Sequence, residues 1–161
     1  MKKRMFEFVC PFCHSSFFLA RDTYLIRDPK STEYKRLKDG HYFTHQCQKC
    51  MHLFELEYPL VWRDPQHGFS LILSSRPADS FEGRVILTRR SSQFLEAFSI
   101  LDLGLDLQEG LKIKRQFEAK TGKPCRMIDY DAKKQIIWVL QDGELAGIRY
   151  LSGNSATVQV K

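Results

Sequence analysis

Apolar and polar positions alternate at both ends of this chain, while its middle repeats its apolar residues every three or four positions. The first regime favours strands and the second helices. Met5-Phe6-Glu7-Phe8-Val9 is a strand-favouring run, and Leu53 to Tyr58 alternates cleanly. Leu60-Val61-Trp62 and Phe69 to Leu73 are predicted to pair across the Asp64 to Gly68 turn, and Arg84 to Thr88 reads as a further strand. Arg126–Tyr130, Gln135–Leu140 and Leu145–Tyr150 predict a three-stranded antiparallel meander, joined at Asp131 to Lys134 and at Asp142-Gly143-Glu144.

Three helices are predicted between these strands. Ser31 caps the first, Tyr34 and Leu37 share one face, and Asp39-Gly40 stops it. Ser91-Ser92 caps the second, whose Phe94, Leu95, Phe98, Ile100 and Leu101 form the apolar stripe before Gly104. Asp106 caps the third, with Glu109 in the capping-box position and Leu107, Leu111, Ile113 and Phe117 facing inward.

Four of the five cysteines fall into two pairs, Cys10-Pro11-Phe12-Cys13 and Cys47-Gln48-Lys49-Cys50. A two-residue gap lets both thiolates of a pair face one ion, and two such turns complete a tetrahedral structural zinc site. Each pair follows one strand-like run and precedes another, so two similar hairpins facing each other are expected, as in a zinc ribbon. Residues 14–46 separate the pairs by more than the compact pattern needs, which accommodates the first helix. His14 and Met51 stand where such turns often carry glycine, and the second turn is therefore expected to be strained or differently shaped. His14, His41, His45 and His52 lie near the cysteines and are candidate replacement ligands or donors to the sulfurs.

Cys10 to His14 also spells the C-x-x-C-H pattern of covalent haem attachment. That reading leaves the second pair without a role. CPFC alone resembles the redox motif of glutaredoxin-like proteins, yet no βαβ pattern surrounds it. Lys2, Lys3 and Arg4 imitate the start of a signal peptide, but Glu7 and Cys10-Pro11 interrupt before an apolar core develops, and no run is long enough to span a membrane. The expectation is a cytoplasmic protein with reduced thiols, where paired C-x-x-C motifs hold metal more often than they form disulfides.

With 161 residues and 43% hydrophobic content, the chain can build one ordinary core or two small ones. The fold class expected is α+β: a zinc-ribbon-like antiparallel N-terminal half with an inserted helix, then a helical hairpin and a small antiparallel sheet. The loop from Arg76-Pro77 to Gly83 sets the expected boundary, giving 1–75 and 76–161. Whether the meander builds a second core or extends the first sheet is left open. The formal charge of +6 falls to about +4 with four thiolates on one zinc ion, a mildly basic surface.

CPFC, the helix-bearing insert, CQKC and the stretch Glu57-Tyr58-Pro59-Leu60-Val61-Trp62-Arg63-Asp64-Pro65 together resemble the CpXC domain, a bacterial and archaeal family named for two Cys-Pro-x-Cys motifs. The resemblance covers residues 5–75 well and continues more loosely to about 118. Gln48 departs from it, standing where the family repeats proline. Proline there stiffens the turn without touching the ion, so the resemblance implies Cys10, Cys13, Cys47 and Cys50 as ligands. It implies little about activity.

Other candidates carry less chemistry. Thr121-Gly122-Lys123 is similar to a phosphate-binding loop, but Phe117 replaces its first glycine and Pro124 its metal-binding hydroxyl. Asp102, Asp106 and Glu109 fall at helix ends, where carboxylates favour N-terminal dipoles or solvent. Cys125 stands alone and reads as structural. The expected role is therefore a non-enzymatic, zinc-stapled module for a protein partner. Nucleic-acid binding through Lys35, Arg36, Lys38, Arg89, Arg90, Lys112, Lys114 and Arg115 is the alternative, and thiol redox chemistry at CPFC a second.

Overall fold

The computed structural model describes residues 2–74 and 83–150. The chain divides into two compact units, Met1–Leu95 and Glu96–Lys161. Of the expected boundary loop, Arg76 to Gly83, only Gly83 is described; 75–82 lie outside the described residues.

In the first unit, β1 (Lys2–Val9) and β2 (Ser16–Ile26) form a hairpin whose turn holds Cys10 and Cys13. Helix α1 (Thr32–Lys38) follows, with the Ser31 hydroxyl accepting the Tyr34 N–H, and Tyr34 and Leu37 buried as their spacing predicts. The short strands β3 (Thr44–Gln46) and β4 (Leu53–Glu55) make a second hairpin around Cys47 and Cys50. β5 (Leu60–Asp64) and β6 (Phe69–Leu73) pair antiparallel across the expected turn, and β7 (Arg84–Thr88) lies beside β6.

The larger sheet has the order β1-β2-β5-β6-β7, and β3-β4 stands as a separate two-stranded sheet. The expectation of an antiparallel N-terminal half needs correcting here, because β2–β5 and β6–β7 run parallel. The physical reason lies in the insert. Parallel neighbours need a long connection, and α1 with the second hairpin supplies one between β2 and β5. β6 is buried at all five positions, as a strand covered on both faces should be.

An aromatic cluster fills this unit. Phe43 meets Tyr58 edge-on at 5.5 Å and Phe94 at 5.6 Å, and Phe8 lies 5.7 Å from Phe17. Truncating a ring buried this deeply costs about 3–5 kcal/mol.

Helix α2 (Ser91–Leu101) contains the point where the two units divide. Its first turn is held differently from the sequence reading: Ser91 donates its hydroxyl and N–H to the Glu57 carboxylate, while the Gln93 side chain accepts from the Arg89 and Arg90 N–H groups.

In the second unit, α3 (Leu107–Thr121) starts at Asp106, whose carboxylate accepts the Glu109 N–H. It ends at Gly122, left-handed at φ 72°. That helix C-cap is the role of the Thr121-Gly122-Lys123 string. Strands β8 (Arg126–Asp131), β9 (Ile136–Gln141) and β10 (Glu144–Arg149) form the expected meander, turning through Asp142 and Gly143, both at positive φ. The question left open by the pattern is answered: this sheet is separate from the first, and Met127, Ile137, Val139 and Ile148 share a core with Ile100, Ile113 and Phe117.

Candidate metal centre

The two cysteine turns are built alike. In the first, the Cys10 N–H donates to Ser15 O and the His14 N–H to Cys10 O; in the second, the Cys47 N–H donates to His52 O and the Met51 N–H to Cys47 O, all four at 2.9 Å. Closing both bonds forces the residue after the second cysteine into the left-handed region, and His14 (φ 62°) and Met51 (φ 65°) both adopt it. The second turn is thus strained as expected but not differently shaped. A non-glycine side chain there costs about 1–2 kcal/mol.

This construction brings all four cysteines to one place. Their Sγ atoms lie within 4.8 Å of one another, with Cys10 3.6 Å from Cys50 and Cys13 3.6 Å from Cys47. A disulfide would need ~2.05 Å. A tetrahedron of sulfurs bound at ~2.3 Å has edges of about 3.8 Å, so the pairs across the two turns already sit near the spacing a four-coordinate ion requires. All five cysteines, Cys125 included, are free thiols. Cys10 and Cys47 are buried, Cys50 partly so, and Cys13 faces solvent.

Polar groups around the sulfurs favour thiolate. The Ser15 hydroxyl lies 3.0 Å from Cys13 Sγ and 3.8 Å from Cys47 Sγ, and the Phe12 N–H donates to Cys10 Sγ at 3.4 Å. His52 Nδ1 is 3.4 Å from Cys50 Sγ, so His52 neighbours a sulfur without joining the cluster. His45 stacks on Phe17 at 4.9 Å, and neither it, His14 nor His41 belongs to the cluster. Ser15 was missed by reading the sequence; a hydroxyl two positions past a cysteine pair, at the foot of the outgoing strand, is the available signal.

The sulfurs do not share their protons evenly. The Cys50 N–H, then that of Lys49, pulls the Cys47 thiol down to about 6. The Ser15 hydroxyl, with its backbone N–H, lowers Cys13. On Cys50 the His52 backbone acts downward most strongly, but burial and hydrogen bonds with the Cys10, Cys47 and Cys13 thiols outweigh it and push the group up to about 12. One sulfur ionises readily and the last resists, because each new thiolate faces the others at close range. A cation at the centre removes that resistance.

A family model described as CpXC protein matches residues 9–143. The chain belongs to the CpXC family. The match runs well past residue 118, through β9, so the CpXC region takes in residues of both units. No curated protein and no solved structure matches the chain.

Other sequence candidates do not belong to this CpXC cysteine cluster. Cys125 is buried in the second unit, where burial and then the Glu118 carboxylate push its thiol up to about 11, far from a reactive thiolate. Lys114 and Arg115 both engage Glu96, and Lys114 also meets Glu118 at 3.5 Å. A cavity of about 250 Å³ opens beside the cluster, bordered by Ser15, Phe18, His45, Cys47 and Lys49. The larger cavity, about 400 Å³ between Tyr24, Arg27, Ser31 and Trp62, touches none of the cysteines.

Proposed function

We propose that the chain is a zinc-stapled interaction module of the CpXC family. Cys10, Cys13, Cys47 and Cys50 would hold one structural Zn²⁺, and the two cysteine turns would present apolar side chains to a protein partner in a reducing compartment such as the cytoplasm. The observation that carries the reading is the convergence of four sulfurs on turns whose own apolar residues point outward. Phe12 is 53% exposed and Met51 57%, and Leu53, where β4 leaves the second turn, 62%. Large apolar side chains left in water on both turns favour a contact surface. The ion's contribution is structural: it neutralises the thiolates and ties the β1–β2 turn to the β3–β4 turn. Zinc fits the donor set because four soft thiolates in a closed shell suit it and leave no open position for a substrate.

Among the described residues no helix is long and apolar enough to cross a membrane. The nucleic-acid alternative draws less support, since Lys114 and Arg115 are paired with carboxylates. The redox alternative must reckon with Cys10, which is buried and placed against Cys50 across the cluster.

Elemental analysis of the purified protein tests the metal, with one equivalent of zinc expected. A pull-down comparing the wild type with Phe12→Glu/Met51→Glu tests the surface. One protein recovered by the first and lost by the second is expected, and recovery of nothing above background by the wild type rejects it. Binding to a mixed oligonucleotide that strengthens at low salt would instead select the nucleic-acid reading.

A further inference from the structure

Strand β1 ends the five-stranded sheet, and among the described residues no strand pairs with its outer edge. An eight-residue edge of this kind is a template for another strand. The backbone groups available there follow from the hairpin. The Cys10 N–H donates to Ser15 O in phase with the β1–β2 register, so the pairs hydrogen-bonded to β2 fall on Phe8, Phe6 and Arg4. The N–H and C=O groups of Lys3, Met5, Glu7 and Val9 point to the free edge.

We propose that this edge pairs antiparallel with β1 of a second copy of the chain, in the register that sets Met5 against Met5. Charge selects this occupant and this register. β1 is basic at its start, with Lys2, Lys3 and Arg4, and carries Glu7 toward its end. Parallel pairing in register would stack the three cations on themselves. The antiparallel register about Met5 sets Lys3 directly opposite Glu7 of the other copy, twice by symmetry, and joins the residues whose backbone groups are available. Lys3 then lies between two carboxylates, that of its own cross-strand neighbour Asp22 and that of the other copy's Glu7. Met5, 64% exposed, loses its contact with water against itself. Moving the pairing by two residues breaks this match, putting Lys3 opposite Val9. Edge pairing of one strand buries less than a standard interface, so the dimer is reversible.

The proposal does not depend on the partner-binding reading, and its test is separate. Sedimentation of the zinc-loaded full chain up to about 100 μM is expected to show a monomer–dimer equilibrium. Lys3→Glu sets carboxylate against carboxylate at two places, and Glu7→Lys sets ammonium against ammonium. Each is expected to weaken the dimer about tenfold or more, with zinc content and thermal midpoint monitored as controls on folding. The double exchange Lys3→Glu/Glu7→Lys is expected to restore it. A chain that stays monomeric throughout leaves the edge to a strand of another protein and overturns the proposal. So does a dimer indifferent to the single exchanges, or a double exchange no tighter than the singles.

Discussion

The Glu57 carboxylate holds Ser91 twice, one oxygen accepting the N–H and the other the hydroxyl, each at 2.9 Å. Ser91 is buried at the first turn of α2, where the N–H groups of a helix lack intrahelical partners. A carboxylate there satisfies a donor and suits the positive end of the helix dipole. Glu57→Ala is expected to destabilise the fold by about 2 kcal/mol and Glu57→Gln by less, read from denaturant midpoints. Equal stability of wild type and Glu57→Ala would show that the contact contributes nothing.

Gly110 sits inside α3 where an added Cβ would collide with Ile100 Cγ2. Helix propensity alone favours Gly→Ala by ~1 kcal/mol. Crowding in a closed core costs about 1–3 kcal/mol and outweighs it, so Gly110→Ala is expected to destabilise. Ile100→Ala vacates the colliding methyl group. A double-mutant cycle should therefore show Gly110→Ala becoming neutral or favourable in that background, and simple additivity would refute the account.

Glu96 gathers the Lys114 ammonium and the Arg115 guanidinium, which donates two hydrogen bonds to the carboxylate at 2.8 and 2.9 Å. The Arg115 hydrogen bonds, then those of Lys114, hold the carboxyl at about 2. Its folded value lies below its unfolded one, so this stabilisation is present above the ordinary carboxylate range near 4.5 and disappears as pH falls toward 2. Glu96→Gln is expected to cost about 2 kcal/mol at pH 7 and to flatten the loss between pH 4.5 and 2, measured by denaturation across that range. An acid limb as steep as that of the wild type would count against this assignment.

For the cysteines, substitution of any one by serine is expected to drop zinc below one equivalent and to expose the remaining thiols to a colorimetric thiol reagent. Cys125→Ser should leave zinc content unchanged, since that sulfur lies outside the cluster. Chelation of the wild type should release the metal together with the order of the two turns. Full zinc retention in Cys47→Ser would end the four-sulfur reading.

What could be read without coordinates was whatever rests on short-range chemistry. The Ser31 and Asp106 caps, the β5–β6 hairpin and the meander are all set by residues within a few positions of one another. The cysteine pairs announced a long-range contact only because two-residue spacing has few other uses. The parallel partners β2–β5 and β6–β7 left no mark, since a strand's alternation is the same whichever direction its neighbour runs. Glu57 capping α2 was hidden for a related reason: nothing near Ser91 in sequence tells of a carboxylate 34 positions away. The proximity of Ser15 and His52 to the sulfurs emerged from how the two turns lean together, which spacing alone leaves open.

Strand β2 begins at one cysteine turn and ends beside β5, and the second cysteine turn lies on the path between those two strands. Gathering the sulfurs and aligning β5 with β2 therefore draw on largely the same loop-closure entropy. An ion held by the two turns would confine β5 to a small volume near its neighbour, where the two strands would meet at a high effective concentration. Metal capture and completion of the sheet would then proceed as one cooperative event, and chelation is expected to slow refolding of the sheet even though none of the four cysteines lies in one of its strands.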